Sequence, residues 1–262
     1  MNLRRLPDSP RLFDPGRAIH HERGRDAVLL LHGWTGWPGR LAYVAGRLAA
    51  EGLTVSVPRL PGHGTSMADM RETTAHDWLR RAVDAYIDLC QDHTVRIAGT
   101  SMGAILATIV AAQFRVDRIA LLAPAHLTRK RSLWITPLLK HVVPRIAGDW
   151  SPDNELDPSV LPIAEEYARF NYISTVAELY RLQRIGRREL PRLTADTLVI
   201  VSRNDGAVPE RVADYIAQRA ASARVESVVL DRSNHQLGDN VEKETVADAL
   251  VQWFAADDNR RR

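Results

Sequence analysis

Short apolar runs alternate with stretches of helical periodicity along most of the chain. DAVLLLHG (26–33) predicts a buried strand ending at a glycine, and LTVSVPRL (53–60) a second one stopped by Pro61 and Gly62. Between them, PGRLAYVAGRLAAEG (38–52) reads as a helix with Pro38 near its start and Gly52 just past its end. AHDWLRRAVDAYIDLCQ (75–91) is amphipathic, with Trp78, Leu79, Ala82, Val83, Tyr86, Ile87 and Cys90 on the face expected to pack inward. TVRIAG (94–99) is a strand, and SMGAILATIVAAQF (101–114), apolar nearly all round, is a buried helix. Further strands are expected at RIALLAP (118–124), DTLVIVS (196–202) and VESVVLD (225–231), and further helices at 209–221 and 241–256.

Near-continuous Val, Ile and Leu strands separated by helices predict an α/β fold: a mostly parallel sheet with helices on both faces. Six strands are clear, and residues 11–25 are a candidate for a short antiparallel edge. Residues 125–192 break the rhythm, with helical patterns, closely spaced prolines and no clear strand. They read as a helical cap inserted between two strands, dividing a core made of 1–124 and 193–262. A cap there would cover the C-terminal edge of the sheet, where open α/β sheets bind ligands.

Composition narrows the class only a little. The 262 residues suffice for one large domain, and 45% hydrophobic with 26% charged residues is ordinary for a globular protein. The longest apolar runs are far too short to span a bilayer, and MNLRRLPDSPRLF has no apolar stretch after its arginines, so no secretory signal is expected. With one cysteine, Cys90, no internal disulfide can form; its spacing suggests a core thiol, and a cytoplasmic setting is expected. The formal charge is +3, with arginines scattered among 32 acids and no basic stripe with interleaved aromatics, which argues against nucleic-acid binding. No His, Cys and carboxylate grouping has metal-ligand spacing, and no glycine-rich phosphate loop is present, so neither metal nor cofactor is expected.

IAGTSMGA (97–104) sets Ser101 between two glycines. Alone this is weak, because Gly-x-Ser-x-Gly turns up by chance in roughly one chain in ten of this length. Its context is stronger. Ser101 lies between a strand and a buried helix, as a nucleophile elbow requires, and glycines at 99 and 103 leave room for the tight turn. Serine needs a base and the base an orienting carboxylate. His235 in DRSNHQLGD and Asp205 in VSRNDGAVP both follow strands at the same edge, with Asp231 and Asp239 as rivals for the acid. The order Ser101, Asp205, His235 is that of α/β-hydrolases. Oxyanion donors are expected from the N–H of Met102 and from the loop in LLLHGWTG (29–36), at Trp34. His32 is expected to pack or hydrogen-bond beneath that loop, and His63 in PGHG to fix a turn.

HGWTG, RLPGHGTS, GTSMG, SRNDGAVP and SNHQLGD together resemble the α/β-hydrolase superfamily, and more narrowly the bacterial carboxylesterase and monoacylglycerol lipase group, over about residues 26–256. The resemblance implies Ser101 as nucleophile, Asp205 as acid, His235 as base, and Trp34 and Met102 as oxyanion donors. It implies hydrolysis of a small-molecule ester through an acyl-enzyme. Gln236 and Gly238 depart from the bulkier apolar residues that often follow the base in these esterases. Hydrolysis of a thioester, amide or carbon–carbon bond, or a non-catalytic binding module, are the alternatives on the same scaffold. The stretch TRKRSLWITPLLKHVVPRIAG (128–148) is basic and amphipathic: a packed helix with a solvated basic face, or a surface that meets anionic lipid or an acidic substrate. Its Leu133, Trp134, Ile135, Leu138 and Leu139 are candidates to line an acyl pocket.

Overall fold

The computed structural model describes residues 11–148, 157–220 and 224–255. Nine strands occur among them: β1 (Ile19–His21), β2 (Asp26–Leu31), β3 (Thr54–Val57), β4 (Thr94–Thr100), β5 (Arg118–Leu122), β6 (Arg145–Ala147), β7 (Phe170–Tyr172), β8 (Asp196–Ser202) and β9 (Val225–Leu230). Seven form one sheet in the order β1-β3-β2-β4-β5-β8-β9, parallel throughout except for β1, which pairs antiparallel with β3. The six expected strands are therefore present, and the 11–25 stretch supplies the antiparallel edge.

The helices are α1 (Ala42–Ala50), α2 (Met67–Arg71), α3 (Ala75–Cys90), α4 (Met102–Phe114), α5 (Thr136–Leu139), α6 (Leu161–Ala168), α7 (Ile173–Glu189), α8 (Val212–Arg219) and α9 (Lys243–Ala255). The sheet separates two apolar layers. Ala27, Leu29 and Leu31 of β2 pack with residues of α3 and α4, while Val28 and Leu30 pack with residues of α1 and α9. This is the period-two alternation of a strand buried on both faces, and it explains why β2 reads as an unbroken apolar run. The central strand β4 feeds α4, whose residues from Met102 to Ala112 are all buried.

Two expectations are corrected. Cys90 is exposed rather than in the core. The buried residues of α3 are Ala75, Trp78, Ala82, Ala85 and Leu89, so its inward face is rotated from the one that joined Tyr86, Ile87 and Cys90. Alanines at 82 and 85 let the helix approach the sheet closely, and the larger side chains flank that contact. Residues 125–192 also contain strands: β6 and β7 pair antiparallel as a separate two-stranded sheet. Three-residue strands lie below the length at which alternation can be read.

Candidate active site

The loops that follow β2, β4, β8 and β9 converge at the C-terminal edge of the sheet. Ser101 follows β4 directly and precedes α4, with φ +54° and ψ −112°. This left-handed backbone is costly for a residue with a side chain. Its surroundings hold it in place. Ser101 N–H donates to Leu122 O at 2.8 Å, and Ser101 O accepts from Ala125 N–H at 3.2 Å. The flanking glycines are obligatory here: a Cβ on Gly99 would lie 2.2 Å from Gly103 O, and one on Gly103 would lie 2.0 Å from Leu31 O.

Ser101 Oγ lies 2.9 Å from His235 Nε2, and His235 Nδ1 lies 2.8 Å from Asp205 Oδ2. Asp205 is 2% exposed, and its second oxygen, Oδ1, accepts the N–H groups of Ala207 and Val208 at 2.7 and 2.9 Å. Burial opposes ionisation of this carboxyl, but the hydrogen bond and charge of His235, with the Val208 and Ala207 N–H groups, outweigh it and hold the carboxyl below its ordinary value. The rival carboxylates are engaged elsewhere: Asp231 with Arg203, and Asp239 with Arg40 at 2.9 Å.

The loop after β2 packs against the serine, since a Cβ on Gly33 would stand 3.3 Å from Ser101 Cβ. Gly33 O accepts from His32 Nδ1–H and from Gly36 N–H, both at 3.1 Å. Gly33 C=O and Trp34 N–H share one planar peptide and point in opposite directions, so the bonds that pin the carbonyl also fix the N–H. Among the described residues that N–H has no acceptor. Met102 is the first residue of α4, where a helix leaves its N–H groups unpaired. The Trp34 N–H is thus unpaired on a loop packed against Ser101, and the Met102 N–H belongs to the residue that follows it.

The family model described as the alpha/beta hydrolase family matches residues 28–249. The chain belongs to that family. It is 31% identical, over 90% of its length and 93% of the relative's, to a thermostable monoacylglycerol lipase of Bacillus sp. (strain H-257). It is 22% identical to a carboxylesterase of Bacillus subtilis (strain 168), over 88% of this chain and 93% of that one. Among solved structures, one reported with the metagenome-derived lipolytic enzymes LipS and LipT superposes with a TM-score of 0.83 at 24% identity, covering 94% of this chain and all of the other.

In this α/β hydrolase the site is braced by residues that sequence reasoning missed. Glu242 accepts from the N–H groups of Arg232 and Ser233 at 3.0 and 2.7 Å and from Ser233 Oγ at 2.7 Å, tying down the loop that carries His235. Arg129 donates from Nε to Asp205 O and from its backbone N–H to Ala207 O, both at 2.8 Å, so the start of the 125–192 segment clamps the loop of the acid. Neither residue falls in a recognisable motif. His32 does what was expected of it: its Nδ1 holds Gly33 O, and its Nε2 accepts from Leu60 N–H at 3.2 Å. His63 donates from Nδ1 to Pro61 O at 3.0 Å, within the turn it was expected to fix.

His32, His63 and His126 are completely buried. Burial lowers His63 to about 4 and His126 to about 3; it also sets His32 well below its ordinary value, with His63 adding to the effect. Unfolded, each ring takes up a proton near pH 6.5. Folded, all three stay neutral to much lower pH. The unfolded state therefore binds more protons below pH 6.5, and stability is lost as the pH falls. His63 and His126 together remove about 2 kcal/mol between pH 6.5 and 5.5, and His32 acts in the same direction. Urea titrations at the two pH values should show that drop as a lower midpoint, and an unchanged midpoint would contradict neutral burial of the three rings.

Proposed function

We propose that the protein is a serine hydrolase of carboxylic esters with an acyl chain, with Ser101 as nucleophile, His235 as general base and Asp205 as the orienting acid. The observation that carries this reading is the hydrogen-bonded line from Ser101 Oγ through His235 to Asp205. Ser101 Oγ attacks the acyl carbon while its proton passes to His235 Nε2. The N–H groups of Trp34 and Met102 stabilise the oxyanion that forms. The imidazolium, held by Asp205, gives its proton to the departing alcohol. Water, activated by His235, then cleaves the acyl-enzyme and restores Ser101. The chemistry needs no metal or cofactor.

Residues 125–192 act as a cap on the core made of 1–124 and 193–262. Supporting this, Tyr167 Oη donates to Gly62 O at 2.9 Å, and Glu166 and Glu178 accept the N–H groups of Met67 and Ala75 at 2.8 and 3.1 Å. A reducing, cytoplasmic setting suits a chain whose one cysteine is an exposed thiol.

The test is turnover of p-nitrophenyl esters from acetate to palmitate and of monoacylglycerols, beside the thioester and amide of the preferred acyl group. The ester is expected to turn over, with one preferred chain length. An enzyme inert on every ester but active on the thioester, amide or a carbon–carbon substrate would transfer the reading to that bond class.

A further inference from the structure

Nine large apolar side chains stand exposed among the described residues, and five of them lie between 134 and 146: Trp134, Ile135, Leu138, Val142 and Ile146. Leu138 and Val142 are 72% and 77% exposed. With Trp134 they stand at the surface, not in an enclosed acyl pocket. They run from the 3₁₀ turn Arg131–Ile135 through α5 to β6. A cluster of this kind is unusual on a soluble surface and marks a place of contact.

Its electrostatics identify the contact. The stretch 128–148 carries five basic residues, Arg129, Lys130, Arg131, Lys140 and Arg145, and no acidic one. The rest of the chain holds more acids than bases, so the positive charge of the molecule resides here. Lys140 is partly exposed, and the Arg145 guanidinium stacks at 4.1 Å over Phe170 on the adjoining strand. A second copy of the chain meeting this face symmetrically would set like charges against each other. A surface of anionic lipid satisfies both features at once: apolar tips and an indole enter the interface while lysine and arginine meet the headgroups. Arg129 ties the same segment to the Asp205 loop. The contact therefore adjoins the catalytic edge.

We propose that this basic apolar tip docks the enzyme peripherally on anionic lipid surfaces, from which the ester substrate is drawn. No helix among the described residues is long and apolar enough to cross a membrane. The purpose of the docking rests on the ester reading above, but its test does not.

Flotation with phosphatidylcholine vesicles, with and without phosphatidylglycerol at about one third of the lipid, measures the partition. Binding is expected on the anionic vesicles, at least about tenfold tighter than on the neutral ones, and weaker in high salt. Val142→Ser with Ile146→Ser should weaken it about tenfold or more, and Lys140→Glu about fivefold or more. These positions lie at the surface, so hydrolysis of a monomeric short-chain ester should be unchanged, which also checks folding. Equal partition on both vesicles, indifference to these variants, or no binding by an enzyme that hydrolyses the soluble ester overturns the proposal. So does a dimer that the variants dissociate without changing vesicle partition. Vesicle binding with no ester hydrolysis would leave the docking intact and remove the ester reading instead.

Discussion

Alanine at position 101 is expected to lower kcat on a short p-nitrophenyl ester by about 10⁴-fold or more while leaving KM nearly unchanged. The loss is that of the covalent route: without Oγ no acyl-enzyme forms, and only the oxyanion donors and substrate binding remain to favour attack by water. The substitution is clean because alanine keeps the Cβ, and so adds no strain to a backbone already at φ +54°. Gly33, Leu122 and Ala125, which surround residue 101, lose no contact that depends on the hydroxyl. Ser101→Gly is the informative companion. It should be equally inactive, yet melt at a temperature as high as the parent's or higher, because glycine occupies the left-handed region without penalty. Together the two variants separate the chemistry of the side chain from the strain that presents it. A Ser101→Ala protein as active as the parent would remove Ser101 from the mechanism.

The parts legible in the sequence were those written in local pattern. Strands such as β2 and β8 are buried on both faces and read as unbroken Val, Ile and Leu. The elbow at Ser101 is legible because the two glycines that its close approaches require, Gly99 against α4 and Gly103 against β2, flank the serine in one short motif. What escaped was decided by tertiary packing. The orientation of α3 depends on which small residues let it approach the sheet, and the whole apolar set of Trp78, Leu79, Ala82 and Val83 fits more than one angle. The hairpin of β6 and β7 is three residues a side, too short for alternation to be read, and the Phe170 ring lies beneath Arg145 across it. Arg129 and Glu242 brace the site through backbone groups, the distant Asp205 O and the nearby 231–233 N–H groups. Backbone acceptors and donors carry no residue signature, so no motif could have revealed these pairs. Asp205 was legible from the chain order Ser101, Asp205, His235, while its rivals Asp231 and Asp239 are loop carboxylates near the same edge, and their pairing with Arg203 and Arg40 carries no sequence signature.

Asp205→Asn is expected to lower kcat by about 10³ to 10⁴-fold, and the hydrogen bonds around Asp205 say why. Oδ1 accepts two backbone N–H groups, from Ala207 and Val208. An asparagine must keep its carbonyl oxygen there, since turning the amide would set its NH₂ against those donors. The NH₂ then faces His235 Nδ1, and Nδ1 must become an acceptor. The neutral ring consequently carries its proton on Nε2, the nitrogen 2.9 Å from Ser101 Oγ. In that tautomer it donates to the serine and cannot take the serine's proton. The fold should survive, because the amide fills the same space and satisfies the same two N–H groups. Asp231→Asn and Asp239→Asn should each change kcat by less than about tenfold, their carboxylates being committed to Arg203 and Arg40. Kinetics of the three variants on one ester, with melting temperatures as control, decide the matter. A large loss confined to Asp205→Asn supports its role beside His235, whereas a comparable loss at Asp231 or Asp239 would move the acid to that loop and imply a rearrangement of the site on substrate binding.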